Sequence, residues 1–173
     1  INALRPVGCS VDPEYEALMA SKLIESNRNR FVGVALGQCC ATSFGRQTSD
    51  NHSASDAEHA WFARELAATA IENRMYLLTD LCGTFEALTQ RIQMYRDVAD
   101  AKSCSPKHYV DDNDLNALAM YTQRSVYIVL YGNCNVRVIC DDAVSAVPDV
   151  QQLSALCFPD KAIVIEFIDH NSF

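Results

Sequence analysis

The sequence predicts an α/β domain, with helices first and a sheet assembled mainly from the C-terminal half. Three observations lead there. Apolar residues recur at helical spacing in several stretches between Pro13 and Tyr121. From Ser125 onward the pattern changes to short, β-branched apolar runs bounded by turn residues. No repeat, low-complexity tract or linker divides the 173 residues, so 1–173 is read as one domain, long enough to build a real core.

Pro13 to Ser26 reads as a helix. Tyr15, Leu18, Met19 and Leu23 share a face, Asp12 stands at the N-cap and Pro13 at the first helical position. Asn27 to Arg30 breaks it. Phe31 to Ala35 is a short apolar run leading into a turn at Gly37. Cys39 to about Gly45 is a short buried helix, and the polar segment Arg46 to Ser55 is a surface loop. Ser55 and Glu58 have the spacing of a capping box. They open a helix through Trp61, Phe62, Leu66, Ala70 and Ile71 to about Arg74. Thr84 to Asp100 is the next helix, with Phe85, Leu88, Ile92, Tyr95 and Val98 on one face. Ser103 to Asp112 is a loop. Asn113 or Asp114 caps a helix through Leu115, Leu118, Ala119 and Tyr121. Ser125 to Tyr131 is a buried strand. Asn135 to Cys140 is a second, with Val136, Val138 and Cys140 on one face. Asp141 to Pro159 is a connection with a short helix at Val150 to Leu156. Ala162 to Ile168 is a strong strand that leads to His170.

The formal net charge is −8, which argues against nucleic acid and suits a partner with a basic surface. No stretch approaches the roughly 18 uninterrupted apolar residues of a membrane span. The chain begins at Ile1, not Met, and reads as a domain excised from a longer protein. Its eight cysteines are irregularly spaced and include the adjacent Cys39 and Cys40, a poor disulfide framework. Cys82, Cys134, Cys140 and Cys157 sit among apolar residues and read as buried free thiols, which indicates a reducing, cytosolic compartment. With no C-x-x-C pair and four scattered histidines, neither metal nor cofactor is expected. His52 and His59 read as residues of a surface loop and a helix face.

Two separated pieces carry chemistry. Leu36-Gly37-Gln38-Cys39-Cys40-Ala41-Thr42-Ser43-Phe44 delivers a cysteine to a helix start through a glycine turn. The last strand ends in Asp169-His170-Asn171. A cysteine at a helix N-terminus and a histidine at a strand end can form a thiolate–imidazolium pair. Together, in this order, they suggest a papain-like cysteine protease.

The chain from about Phe31 onward resembles the ovarian-tumour (OTU) family of deubiquitinating cysteine proteases. Its Leu36-to-Phe44 segment is similar to that family's Asp-Gly-Asn-Cys motif. Asp114-Leu115-Asn116-Ala117-Leu118-Ala119 followed by Val126-Tyr127-Ile128-Val129 resembles its Glu-Leu-x-Ala-Leu-Ala helix and strand, the most specific of the three places. The strand Ile163 to Ile168 leading to His170 resembles its terminal histidine motif. The chain departs from the pattern at Leu36, where the family has Asp, at Gln38 in place of Asn, and at Asn171 and Ser172 after the histidine. Those departures resemble a divergent bacterial or viral member.

The resemblance implies a central β-sheet flanked by helices and a Cys39 nucleophile, with Cys40 as its rival. His170 would be the general acid and base. Backbone donors around Leu36, Gly37, Gln38 and Cys39 would form an oxyanion hole. Asn171 is the favoured orienting residue, with Ser172 and Asp169 as the other candidates. The implied partner is ubiquitin or polyubiquitin, whose basic surface suits the acidic chain. Asp111 and Asp112 are its candidate contacts, beside the plainer reading of a solvated loop with a helix cap. His108 is structural or substrate-adjacent. A monomer is expected, in a host cytosol if the protein is a secreted effector. Two rivals stand beside this reading. One is a protease of the same fold acting on a ubiquitin-like modifier or viral polyprotein. The other is a module that binds ubiquitin without cutting it.

Overall fold

The computed structural model describes residues 12–26, 39–75, 84–102, 109–132, 134–140, 143–147 and 149–167. Among the described residues, five helices precede the first strand: α1 (Pro13–Glu25), α2 (Cys39–Thr48), α3 (Asp56–Asn73), α4 (Phe85–Asp100) and α5 (Asp112–Thr122). Strands β1 (Val126–Leu130), β2 (Asn135–Cys140) and β3 (Ala143–Val147) follow, then α6 (Val150–Ala155) and β4 (Ile163–Phe167). The architecture is mixed α/β: a helical N-terminal region followed by a four-stranded mixed sheet with helices.

The strand order is β3-β2-β1-β4. β1 pairs antiparallel with β2, and β2 with β3, while β1 and β4 run parallel. Val126 stands opposite both Ile139 and Ile163, which fixes the register. Alternation then sends β1 and β4 side chains to two separate cores. Val126, Ile128, Leu130, Ile139, Ile163 and Ile165 pack with residues of α2, α3, α4 and α5. Val129, Tyr131, Val136 and Val164 pack with Tyr15, Met19 and Leu23 of α1 and with Leu153 and Phe158. Tyr15 crosses the second core edge-on to Tyr131 and donates to the carbonyl of Asn135 at 2.8 Å.

The local signals explain most element starts. Asp12 accepts from the N–H groups of Glu14 and Tyr15, and Ser55 and Glu58 close a reciprocal capping box. Thr84 caps α4 through Ala87 N–H.

Several expectations are corrected. The α2 helix continues to Thr48, so the polar loop starts later than Arg46. The second box belongs to Asp111 and Asp114, so Asp111 caps α5 in place of Asn113 or Asp114. β3 lies within the stretch Asp141 to Pro159, which was expected to be a connection with a helix and no strand. The core face of α3 is built from Ala60, Ala63, Ala67, Ala68, Ala70 and Ile71, whereas Phe62 is exposed. Small residues let neighbouring helices approach α3 closely, and a ring there would hold them apart. Phe85 at the start of α4 is exposed as well. His59 is buried, not on an open helix face. Cys140 and Cys157 are free but exposed, and Cys134 is half-buried, so the apolar neighbours of these thiols did not report burial.

Candidate functional site

Position 39 is the first residue of α2. A helix N-terminus carries unsatisfied N–H groups and partial positive charge, which favour an anion such as a thiolate. α2 is held on three sides. Toward the core it buries Ala41 and Phe44, with Cys40 half-buried beside them. Toward α3, Thr42 donates to the carbonyl of Asp56 at 3.3 Å and Arg46 pairs with the Asp56 carboxylate. Gly45 meets α3 so closely that an added Cβ would lie 2.0 Å from the carbonyl oxygen of His59. The Nδ1 atom of His59 is buried there and finds no hydrogen-bond partner among the described residues.

Toward β4, the contact is polar. The Gln47 side-chain amide donates to the carbonyl of Val164 at 2.7 Å and accepts from its N–H at 2.9 Å. The N–H of Ile163 donates to Ser125 and the carbonyl of Phe167 accepts from Tyr131, so these two residues turn their backbone groups toward β1. In a parallel ladder the intervening residues turn theirs away. Gln47 therefore occupies the outer edge of β4 at Val164. Arg124 braces the same place, donating to the carbonyl of Gln47 at 2.9 Å and to that of Lys161 at 2.5 Å.

The other pieces of the sequence-derived site lie outside the described residues. These are Leu36, Gly37 and Gln38 of the oxyanion turn, and Asp169, His170, Asn171 and Ser172 of the chain end, with His108. β4 ends at Phe167, three residues before His170. Phe167 packs on the same core as Cys40.

Asp111 and Asp112 are both engaged. Asp111 accepts from the N–H groups of Asn113 and Asp114 and pairs with Arg91 at 3.0 Å. Asp112 pairs with Arg137 of β2. Behind them lies a buried charge cluster that sequence reasoning missed. Asp114, 1% exposed, accepts from Arg91 Nε at 2.7 Å, from Arg91 Nη2, from Tyr95 at 2.5 Å and from the N–H of Asp111 at 2.9 Å. Tyr95 also lies 2.6 Å from the carbonyl of Tyr109. With one hydroxyl proton it can donate to only one of the two acceptors at a time. Burial pushes the Asp114 carboxyl up, against the downward pull of Arg91. Burial likewise raises the Tyr95 phenol, with the Asp114 charge adding to it. The signal that existed for this cluster was an arginine at i−4 from Tyr95, flanking the apolar face of α4. For Gln47 and Arg124 there was none, since both stand in polar stretches.

A pocket of about 200 Å³ opens beside this cluster, lined by Leu88, Arg91, Asp111, Asn113 and Asp114 among others. Of its lining, Arg91, Asp111 and Asp114 are committed to the cluster's own ion pairs and cap. Among the described residues no group of three or more His, Cys, Asp or Glu is disposed to hold a metal ion, and no helix is long and apolar enough to cross a membrane. Comparison of the chain with protein-family models, with curated proteins and with solved structures found no match.

Proposed function

We propose that the chain is a cysteine protease of OTU-like fold that hydrolyses isopeptide bonds at the C-terminus of ubiquitin. The observation that carries the reading is the tie between α2, which begins at Cys39, and β4, which hands the chain to His170. The two elements that would bear the catalytic pair are neighbours fastened through Gln47 and Val164. The flanks of those elements nearest the pair, Cys40 and Phe167, also share one core.

In this reading the helix N-terminus and the imidazolium of His170 lower the thiol pKa of Cys39 from its ordinary value near 8.5. The thiolate attacks the carbonyl carbon, and a C–S bond forms while the carbonyl oxygen takes the negative charge. Backbone N–H groups around Leu36 to Cys39 stabilise that oxyanion. The C–N bond then breaks, and His170 gives its proton to the leaving lysine amine. Water attacks the thioester and passes a proton back to His170. The C–S bond breaks and the thiolate is restored. Asn171 is the proposed orienting group for the imidazole. The ion pairs of Asp111 and Asp112 leave each carboxylate about half exposed, so a basic partner would have to compete with Arg91 or Arg137.

Reaction with a ubiquitin probe carrying a C-terminal propargyl group tests the proposal, with mass spectrometry of the modified peptide. The expected result is one adduct, on Cys39. Ubiquitin binding without an adduct would mark a non-enzymatic module, and adducts with another modifier only would move the substrate class.

A further inference from the structure

The amide of Gln47 does for Val164 what a neighbouring strand would do, accepting from its N–H at 2.9 Å and donating to its carbonyl at 2.7 Å. Its amide nitrogen also reaches back one helical turn to the carbonyl of Ser43 at 3.1 Å. Arg124 fastens the same junction through the carbonyls of Gln47 and Lys161. A purely apolar contact between a helix and a strand tolerates sliding. A two-point amide pair does not, because a slip of one residue along β4 would present groups that already bond β1.

We propose that Gln47 is a positioning residue: it sets the register of α2 against β4, and through that register the separation of Cys39 and His170. The proposal rests on the protease reading above. Its leverage is geometric. Position 39 lies eight residues along α2 from Gln47, or about 12 Å. A tilt of roughly 5° at the Gln47 anchor moves that position by about 1 Å. A misplacement of that size can cost on the order of 100-fold in rate.

The test compares the parent chain with Gln47→Ala and Gln47→Glu. The measurements are kcat and KM on a fluorogenic ubiquitin conjugate, the pH dependence of Cys39 alkylation by iodoacetamide, and thermal unfolding. For Gln47→Ala, kcat is expected to fall at least about tenfold with KM within about twofold. The apparent pKa of Cys39 alkylation should move up toward the ordinary thiol value as its ion pair loosens. In Gln47→Glu, a protonated carboxyl can both accept from and donate to Val164, whereas a carboxylate can only accept. The ratio of its kcat to that of the parent should therefore rise as pH falls through the pKa of the introduced carboxyl.

Two results overturn the proposal while leaving the protease reading intact. One is a Gln47→Ala protein within twofold of an active parent. The other is activity that falls only with the folded fraction, with an unchanged alkylation profile and no recovery of Gln47→Glu at low pH. If the parent itself turns over no conjugate and its Cys39 alkylates as an ordinary thiol, the protease reading fails and the positioning role falls with it.

Discussion

Replacing Arg91 with methionine removes the cation from Asp114 while keeping much of the apolar stem. The Asp114 side chain is 2% exposed and that of Arg91 29%. Without the guanidinium, the carboxylate keeps the N–H of Asp111 and a Tyr95 proton for which the carbonyl of Tyr109 competes. Removing one side of a buried pair costs about 3–5 kcal/mol. The partial exposure of Arg91 puts this pair at the lower end, about 3 kcal/mol. With an m-value of about 2 kcal/mol/M, the urea midpoint should drop by about 1.5 M.

The pH dependence of that loss has a definite sign. Burial already raises the Asp114 carboxyl, and losing Arg91 raises it further. A carboxyl raised in the folded state carries no penalty below its unfolded pKa, near 4. The penalty grows as pH rises through the raised folded value. Arg91→Met should therefore be most destabilising near pH 7 and least near pH 4. Adding Asp114→Leu should recover part of the loss, since two apolar groups leave no orphaned charge. A midpoint shift under about 0.3 M, or strict additivity of the two substitutions, would refute the account of the cluster.

Three further predictions concern other sites. Gly45→Ala should destabilise by at least about 1–3 kcal/mol, because its Cβ meets a backbone carbonyl that cannot rotate away; an unchanged Tm would show that α2 and α3 separate freely. The Glu58 carboxyl is held below its ordinary value by the backbone and side chain of Ser55, so its contribution is present above the ordinary carboxylate pKa and is lost as pH falls through the lowered value; the stability gap between the parent and Ser55→Ala should narrow in acid, and a gap independent of pH would contradict this. Cys39→Ala should abolish adduct formation with the ubiquitin probe while Cys40→Ala keeps most of it, and loss confined to Cys40→Ala would shift the nucleophile by one residue.

The parts of this fold that sequence makes legible are those set by local chemistry. Asp12, Ser55 and Thr84 announce helix starts because capping acts within one turn. Runs such as Ile163–Phe167 announce strands because both faces are covered. What stayed hidden depends on partners distant in sequence. The alanine face of α3 looks weak beside Trp61, Phe62 and Leu66, and only the proximity of other helices makes it the core. His59 is buried because α2 crosses at Gly45, a contact no periodicity encodes. β3 lacks large residues and owes its existence to pairing with β2. For the candidate site, the helix beginning at Cys39 and the strand before His170 were legible, whereas the Gln47 bridge between them was not.

The faces of α2 are held by different devices. At about 100° per residue, Gly45 and Gln47 stand roughly 160–200° apart, on opposite sides of the helix. One side is pressed against α3 by the absence of a side chain, and the other is pinned to β4 by a long one. Both devices lie near the C-terminal end of α2, as does the brace from Arg124. They fix the direction of the helix that begins at Cys39, together with Ala41 and Thr42 of its first turn, which pack on the core and bond to α3. On the proposed protease reading, the helix that carries the nucleophile must be rigidly aimed. Cys40, about 100° further around and half-buried beside Phe44, is on the side that packs. On the proposed protease reading, that leaves Cys40 a packing role beside Phe44 and assigns the reaction to its neighbour in sequence.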